Sequence, residues 1–167
     1  KSGTANGEAQ EFRTEGIMLS LVSTSADVTA GQSANDDLGE FNIKYKVKAI
    51  GSAVYVSSAA AASTTSAGQG AVAGVERSGT ATIGGVSVTV VNTTDDDQTA
   101  NGNYLIEEGE EETFEMTVTV QLPTAGSAGQ YRALLRALDW ATTDAAQVSE
   151  SYTSNLDSFK TSYKALN

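Results

Sequence analysis

Strict alternation of apolar and polar residues marks two long segments of the chain. The first is GEFNIKYKVKAI, residues 39–50, with apolar residues at the odd positions from 41 to 49. The second is TFEMTVTVQL, residues 113–122, with apolar residues at every even position. Because successive side chains of a β-strand point to opposite faces, each segment predicts a strand with one buried and one solvated face. The lysines at 44, 46 and 48 indicate a solvated face or a protected edge, with a basic ligand-binding strip as the alternative.

Shorter apolar runs between turn-forming residues predict further strands. These runs are residues 17–23, 53–57, 71–75, 80–83, 86–91, 103–107 and 159–166. The intervening segments 24–38 and 58–70 are rich in Ser, Thr, Ala and Gly, which favours turns and an exposed loop.

The segment 130–140, QYRALLRALDW, fits two structures. Tyr131, Leu134, Leu135 and Leu138 lie at helical spacing, yet a central strand of a sandwich is also apolar on both sides. The glycine-rich corner that ends at Tyr131 favours the strand. We therefore predict an all-β protein. Its fold is an Ig-like Greek-key β-sandwich of about seven to nine antiparallel strands over residues 17–167, preceded by a flexible polar arm, residues 1–16.

The amino-acid composition restricts the functions that the protein can have. The chain has 167 residues, enough for one domain, and its net charge of −11 disfavours nucleic acid as a partner. It contains no Cys and no His, which removes thiol catalysis, histidine general-base catalysis and ordinary zinc sites. No apolar run approaches the roughly 18 residues that a membrane-spanning helix needs, so no membrane span is expected.

One stretch, EEGEEETFEMTVTVQLPTAGSAGQYRALLRAL, carries a resemblance to a known class. An acidic turn leads into an alternating strand, and a corner with Pro and Gly-x-Tyr leads into the next strand. The matching residues are Gly109, Glu110, Thr113, Phe114, Pro123, Gly129, Gln130 and Tyr131. In this pattern the chain resembles Ig-like modules of prokaryotic cell-surface proteins. The resemblance implies a secreted, surface-displayed protein without enzymatic activity, and it carries over no catalytic residue.

Asp95, Asp96 and Asp97, with Asn101 nearby, are the candidate metal ligands. Calcium takes six to eight oxygen ligands, and an Asp/Asn-rich loop supplies them, although the spacing is not that of an EF-hand. A plain solvated turn is the alternative. No other cofactor is expected.

Other candidate residues concern assembly and modification. Phe12, Ile17, Phe159 and Tyr163 are apolar residues near the two ends of the sequence that could join copies of the chain by strand addition. Asn92-Thr93-Thr94 matches the N-glycosylation acceptor triplet.

We therefore expect a non-enzymatic extracellular protein at a bacterial or archaeal cell surface. It would be a subunit or module of a surface layer or filament that assembles with itself. The alternative is an adhesin or carbohydrate-binding module that contacts a cell-surface glycan through aromatic residues such as Tyr55, Tyr104, Trp140 and Tyr152.

Overall fold

The fold is known from a computed structural model that describes residues 14–32, 36–62, 70–78, 85–122 and 128–167. The described residues form eleven strands and no helix, which confirms the predicted all-β class. The strands are β1 (Gly16–Thr29), β2 (Leu38–Ile50), β3 (Val54–Ser57), β4 (Ala60–Ala62), β5 (Ala71–Ser78), β6 (Val86–Asn92), β7 (Asn103–Ile106), β8 (Glu111–Gln121), β9 (Gly129–Ala141), β10 (Glu150–Tyr152) and β11 (Lys164–Leu166).

The strands form two sheets that pack as a β-sandwich. The first sheet has the order β1-β2-β8-β6, and all its neighbours are antiparallel. The second sheet is built on β9, which pairs with β3, β5, β10 and β11; β7 adds to β3, and β4 adds to β5. The order of the first sheet matches that of strands A, B, E and D in an immunoglobulin constant-type sandwich.

The core lies between the inner faces of the two sheets. The apolar rows of β2 and β8 are fully buried, as their alternation predicts. Tyr45 of β2 stacks on Phe114 of β8 with ring centroids 5.8 Å apart, and it makes a T-shaped contact with Phe159. Each sheet therefore buries one face of its long strands against the other sheet.

The lysine row of β2 is solvated, but it does not protect an edge. β2 lies inside the sheet, between β1 and β8. Lys46 Nζ lies 2.6 Å from Glu111 Oε1, and Lys44 Nζ lies 3.9 Å from Glu115 Oε2. Both pairs cross from β2 to β8 on the outer face, where solvent screening keeps their contribution small.

Residues 130–140 form a strand, as predicted, and a bulge explains their helix-like spacing. Val72 pairs with Ala137 and Ala73 with Leu135, so Arg136 is an extra residue in β9. The extra residue reverses the alternation, so the core receives Leu135 before the bulge and Leu138 after it. A strand with one bulge thus places apolar residues three or four positions apart.

The strands differ from the prediction in three places. β1 continues through Thr29, although residues 24–38 were expected to turn. β4 lies within the expected loop, where Ala60–Ala62 pair in parallel with β5. The last segment is interrupted: Lys160 forms an isolated bridge, and a regular strand begins only at Lys164. Eleven strands therefore replace the expected seven to nine. The predicted strand at 80–83 lies outside the described residues.

Candidate functional site

Strand β1 is the most exposed long element of the described structure. It has 14 residues, and only Ile17 and Ala26 are buried. It forms one edge of the first sheet, so its second row of backbone groups faces away from β2. The strand contains a single charged residue, Asp27, and neither Lys nor Pro. It thus lacks the charges and prolines with which natural edge strands resist pairing.

Apolar side chains are exposed along the same strand. Met18 is 49% exposed and Val22 is 47% exposed, and Leu21 and Val28 are also exposed. Val22 is the extra residue of a bulge, because Leu21 pairs with Tyr45 while Ser23 pairs with Lys44. On either side of the bulge, Leu21 and Val28 share the inward face with buried residues of β1, yet solvent reaches them. The second sheet therefore does not cover the inner face of β1 completely.

The assembly candidates separate into buried and exposed residues. Ile17 is 8% exposed and Phe159 is 4% exposed, and both belong to the core. Their predicted role at an interface is therefore not favoured, since burial already uses their apolar surface. Tyr163 is exposed, and the guanidinium of Arg132 lies 4.4 Å from the centre of its ring. Phe12 lies outside the described residues.

The candidate metal loop brings its three aspartates together. One carboxylate oxygen of each of Asp95, Asp96 and Asp97 lies within 4.8 Å of the others, and all three side chains are exposed. Local hydrogen bonds shape the loop: Asn92 Oδ1 accepts from the backbone N–H groups of Thr94 and Asp95. Such turns form in many loops that bind no ion, so calcium at this site stays a prediction.

A cavity of about 370 Å³ beside this loop collects further carboxylates. Asp95 and Asp97 line it together with Glu107, Glu110 and Glu112. Glu112 is only 7% exposed, and burial raises the pKa of its carboxyl, while Asn92 Nδ2 donates a hydrogen bond to it. The acidic turn and the Asp loop therefore adjoin in space, although the sequence separates them by ten residues.

Asn101 belongs to a different network. Asp144 accepts hydrogen bonds from Asn103 Nδ2 at 2.8 Å and from Thr99 Oγ1 at 2.9 Å. These bonds, led by that from Asn103 and joined by one from Asn101, lower the pKa of Asp144. The network ties the loop before β7 to the loop after β9. No local pattern could indicate this network, because Asp144 lies more than 40 positions from both Thr99 and Asn103.

The structure disfavours a glycan on Asn92. Its side chain is 4% exposed, its Oδ1 accepts two backbone hydrogen bonds, and its Nδ2 donates to Glu112. Attachment of a sugar to Nδ2 would require this buried contact to break. The sequence triplet alone could not indicate this, because the partner Glu112 lies 20 residues away.

The aromatic residues do not form an exposed platform. Trp140 and Tyr104 are both 4% exposed and belong to the core. Tyr55 and Tyr152 are half-buried, on β3 and β10.

Among the described residues there is no helix that is long and apolar enough to cross a membrane.

No protein-family model, curated protein or solved structure matches this chain.

Proposed function

We propose that this protein is a non-enzymatic structural subunit or module of an extracellular filament or surface layer, at a bacterial or archaeal cell surface. Copies of the chain join through the edge of β1 that pairs with none of the described strands. The extracellular location follows from the resemblance of the acidic turn and the tyrosine corner to cell-surface modules. The observation that carries the proposal is the length, exposure and lack of charge of β1.

Strand addition fits the chemistry of this edge. Backbone N–H and C=O groups of an edge strand supply the affinity, and side chains on its two faces supply the specificity. Met18 and Val22 would be covered by an added strand and would gain the free energy of burial, about 25 cal/mol per Å². A contact between two different surfaces of the chain would repeat without closing, which produces a filament or a lattice.

Carbohydrate binding has less support in the geometry. A sugar site needs exposed aromatic faces, and Trp140 and Tyr104 place theirs in the core. We therefore do not propose the adhesin as a second function.

The test places a positive charge on the edge. Val22→Lys adds a charge to β1, and Leu105→Lys adds the same charge to β7, the outer strand of the other sheet. Negative-stain microscopy and sedimentation velocity, with calcium and with chelator, should show filaments or sheets for the wild type and for Leu105→Lys. Val22→Lys should form neither filaments nor sheets.

Two outcomes would contradict the proposal. If the wild type stays monomeric at every concentration, self-assembly is excluded. Loss of assembly in Leu105→Lys, with Val22→Lys unaffected, assigns the contact to the other sheet. A chain without residues 1–13 separates the two routes of strand addition, because assembly through the edge of β1 alone does not need the arm.

A further inference from the structure

The bulge in β9 directs one basic side chain into a cleft on the outer face of the second sheet. Arg132, Leu134 and Arg136 share this face, and Arg136 is the extra residue of the bulge. Bulges commonly re-aim a side chain next to a functional site. The cleft measures about 350 Å³. Three basic side chains line it, Arg132, Arg136 and Lys160, together with two acidic ones, Glu76 and Asp157.

A glycine makes room for the arginine. Gly74 of β5 pairs with Leu134, and a Cβ at this position would lie 2.1 Å from Arg136 Nε. The guanidinium therefore lies over the bare backbone of β5. Its Nε is buried and has no hydrogen-bond partner among the described residues. A buried donor without an acceptor costs free energy. The Arg136 side chain as a whole is only half-buried and lines the cleft, so part of it stays open to an oxygen ligand.

The other arginine of the cleft, Arg132, already pairs with an acidic residue. Arg132 Nε donates to Glu76 Oε2 at 2.6 Å, and Tyr163 lies against the same guanidinium. This hydrogen bond lowers the pKa of Glu76. Arg136 and Lys160 form no ion pair with any residue in the part of the chain that the structure describes. The cleft thus contains two basic groups without an ion-pair partner among the described residues, in a chain whose net charge is −11.

The chain carries a matching acidic element. The turn at Glu107, Glu108 and Glu110 is exposed, and none of these carboxylates forms an ion pair with the described residues. The turn is held in shape, since Glu110 N–H donates to Glu107 C=O and Gly109 N–H donates to Ala49 C=O. A preorganised acidic turn loses little conformational entropy when it binds.

We propose that the cleft beside the β9 bulge binds carboxylates of the acidic turn, Glu107–Glu110, from a second copy of this chain. Arg136 and Lys160 receive the carboxylates, and Arg136 offers the bidentate geometry that a carboxylate prefers. The contact joins an end of one copy to a sheet face of the next, so it is heterologous and repeats. This inference rests on the proposed self-assembly and adds a second contact to it, apart from β1.

The test is made in the Val22→Lys background, so that a failure of the β1 contact cannot be mistaken for a failure of the cleft. Sedimentation velocity should show weak self-association of this variant that fades at high salt. Adding Arg136→Gln should weaken the association about tenfold or more, as loss of a charged hydrogen bond does. Lys160→Gln, at an exposed position, should weaken it a few-fold. Lys44→Gln, on the other sheet, is the matched control and should leave it unchanged.

A mixing experiment identifies the occupant. A chain with Glu107→Gln and Glu108→Gln retains the cleft, and a chain with Arg136→Gln retains the turn. Each should be monomeric alone in the Val22→Lys background, and the mixture should form dimers and no longer species.

Three results would overturn the proposal. They are a monomeric Val22→Lys variant at all concentrations, an equal effect of Lys44→Gln and Arg136→Gln, and a mixture that stays monomeric. Saturable binding of oligogalacturonate that depends on Arg136, without self-association, would show that the cleft takes an acidic glycan instead. If Val22→Lys alone abolishes assembly, the β1 contact stands while the cleft contact fails.

Discussion

Strands β1 and β9 have nearly the same length but opposite surroundings. β1 has 14 residues, of which two are buried, and it pairs with one strand. β9 has 13 residues, of which eight are buried, and it pairs with four strands. Trp140 pairs with both Val56 and Glu150, and Tyr131 pairs with both Arg77 and Lys164, so both edges of β9 are occupied near each of its ends. The difference indicates that burial is concentrated in the middle of the second sheet, while β1 pairs with a single strand among the described residues.

The largest expected effect compares one residue of each strand. Leu135 of β9 is 1% exposed, and Leu135→Ala should lower the free energy of unfolding by about 2–5 kcal/mol, through lost burial and a new cavity. Val22→Ala on β1 should change it by about 0.5 kcal/mol or less, because the side chain is already half in water. Urea unfolding of the monomer measures both. Similar losses of unfolding free energy at the two positions would contradict the expected difference between β1 and β9.

A pair of glycines tests how tightly the strands around β9 are held. Gly70 and Gly109 both have φ near +81°, but a Cβ at Gly70 would lie 2.2 Å from the carbonyl oxygen of Ala59, whereas Gly109 has open space. Gly109→Ala should cost about 1–2 kcal/mol for the left-handed backbone alone. Gly70→Ala should cost more, since the backbone of Ala59 must move and the hydrogen bond from Gly70 N–H to Asp139 Oδ2 would be disturbed. Thermal unfolding of the two variants measures these losses of stability. Equal losses would mean that the backbone around Gly70 can move at little cost.

The start of β8 should respond to pH through Glu112. Its folded-state pKa is raised by burial, so the folded state binds its proton more tightly than the unfolded state does. Stability from this group is therefore present at low pH and is lost as pH rises through the folded-state pKa. Glu112→Gln should be more stable than the wild type at pH 7, and the difference should shrink as pH falls toward 4.5. A difference that is constant with pH would contradict the raised pKa.

The smallest effect concerns hydrogen bonding inside the core. The Tyr45 hydroxyl is buried, it has no hydrogen-bond partner among the described residues, and burial raises its pKa. Tyr45→Phe should therefore cause no loss of stability and could raise it by up to about 1 kcal/mol. Tyr104→Phe is the control, because Gln98 Nε2 donates to the Tyr104 hydroxyl at 2.9 Å, and its loss should cost about 1 kcal/mol. Equal losses in the two variants would reveal a partner for Tyr45.

The parts of the fold that were predictable are those in which one face is buried. The alternation in β2 and β8 predicted their buried rows, because the period of two is the direct consequence of a half-buried strand. The extension of β1 through Thr29 could not be predicted in this way. Residues 24–29 face solvent on nearly all sides, so their sequence carries no alternation. β4 was missed for a similar reason, since a run of alanines has no pattern of polarity.

The candidate sites were less predictable, because each depends on residues that meet only after folding. The three aspartates are adjacent in sequence, and their clustering could be expected. Their proximity to Glu112 could not, nor could the burial of Asn92 against it. The cleft at Arg136 depends on the bulge and on Gly74, 62 residues earlier, and a local pattern cannot report either. The burial of Ile17 and Phe159 was also not predictable, because an apolar residue suits a core and an interface equally well.

The position of β9 along the chain also governs when the second sheet can form during synthesis. β3 and β5 are synthesised well before β9. Val56 pairs with Trp140, and roughly 80 residues are added to the chain between the two. At about 5–20 residues per second, this interval lasts roughly 4–16 s. For most of this interval, until β8 (Glu111–Gln121) is complete, the nascent chain has β1 and β2 but neither β8 nor β9 to cover β2. Chaperones that hold unpaired strands would therefore act on this chain before residue 129 is made, and truncations that end before β9 should accumulate as aggregates.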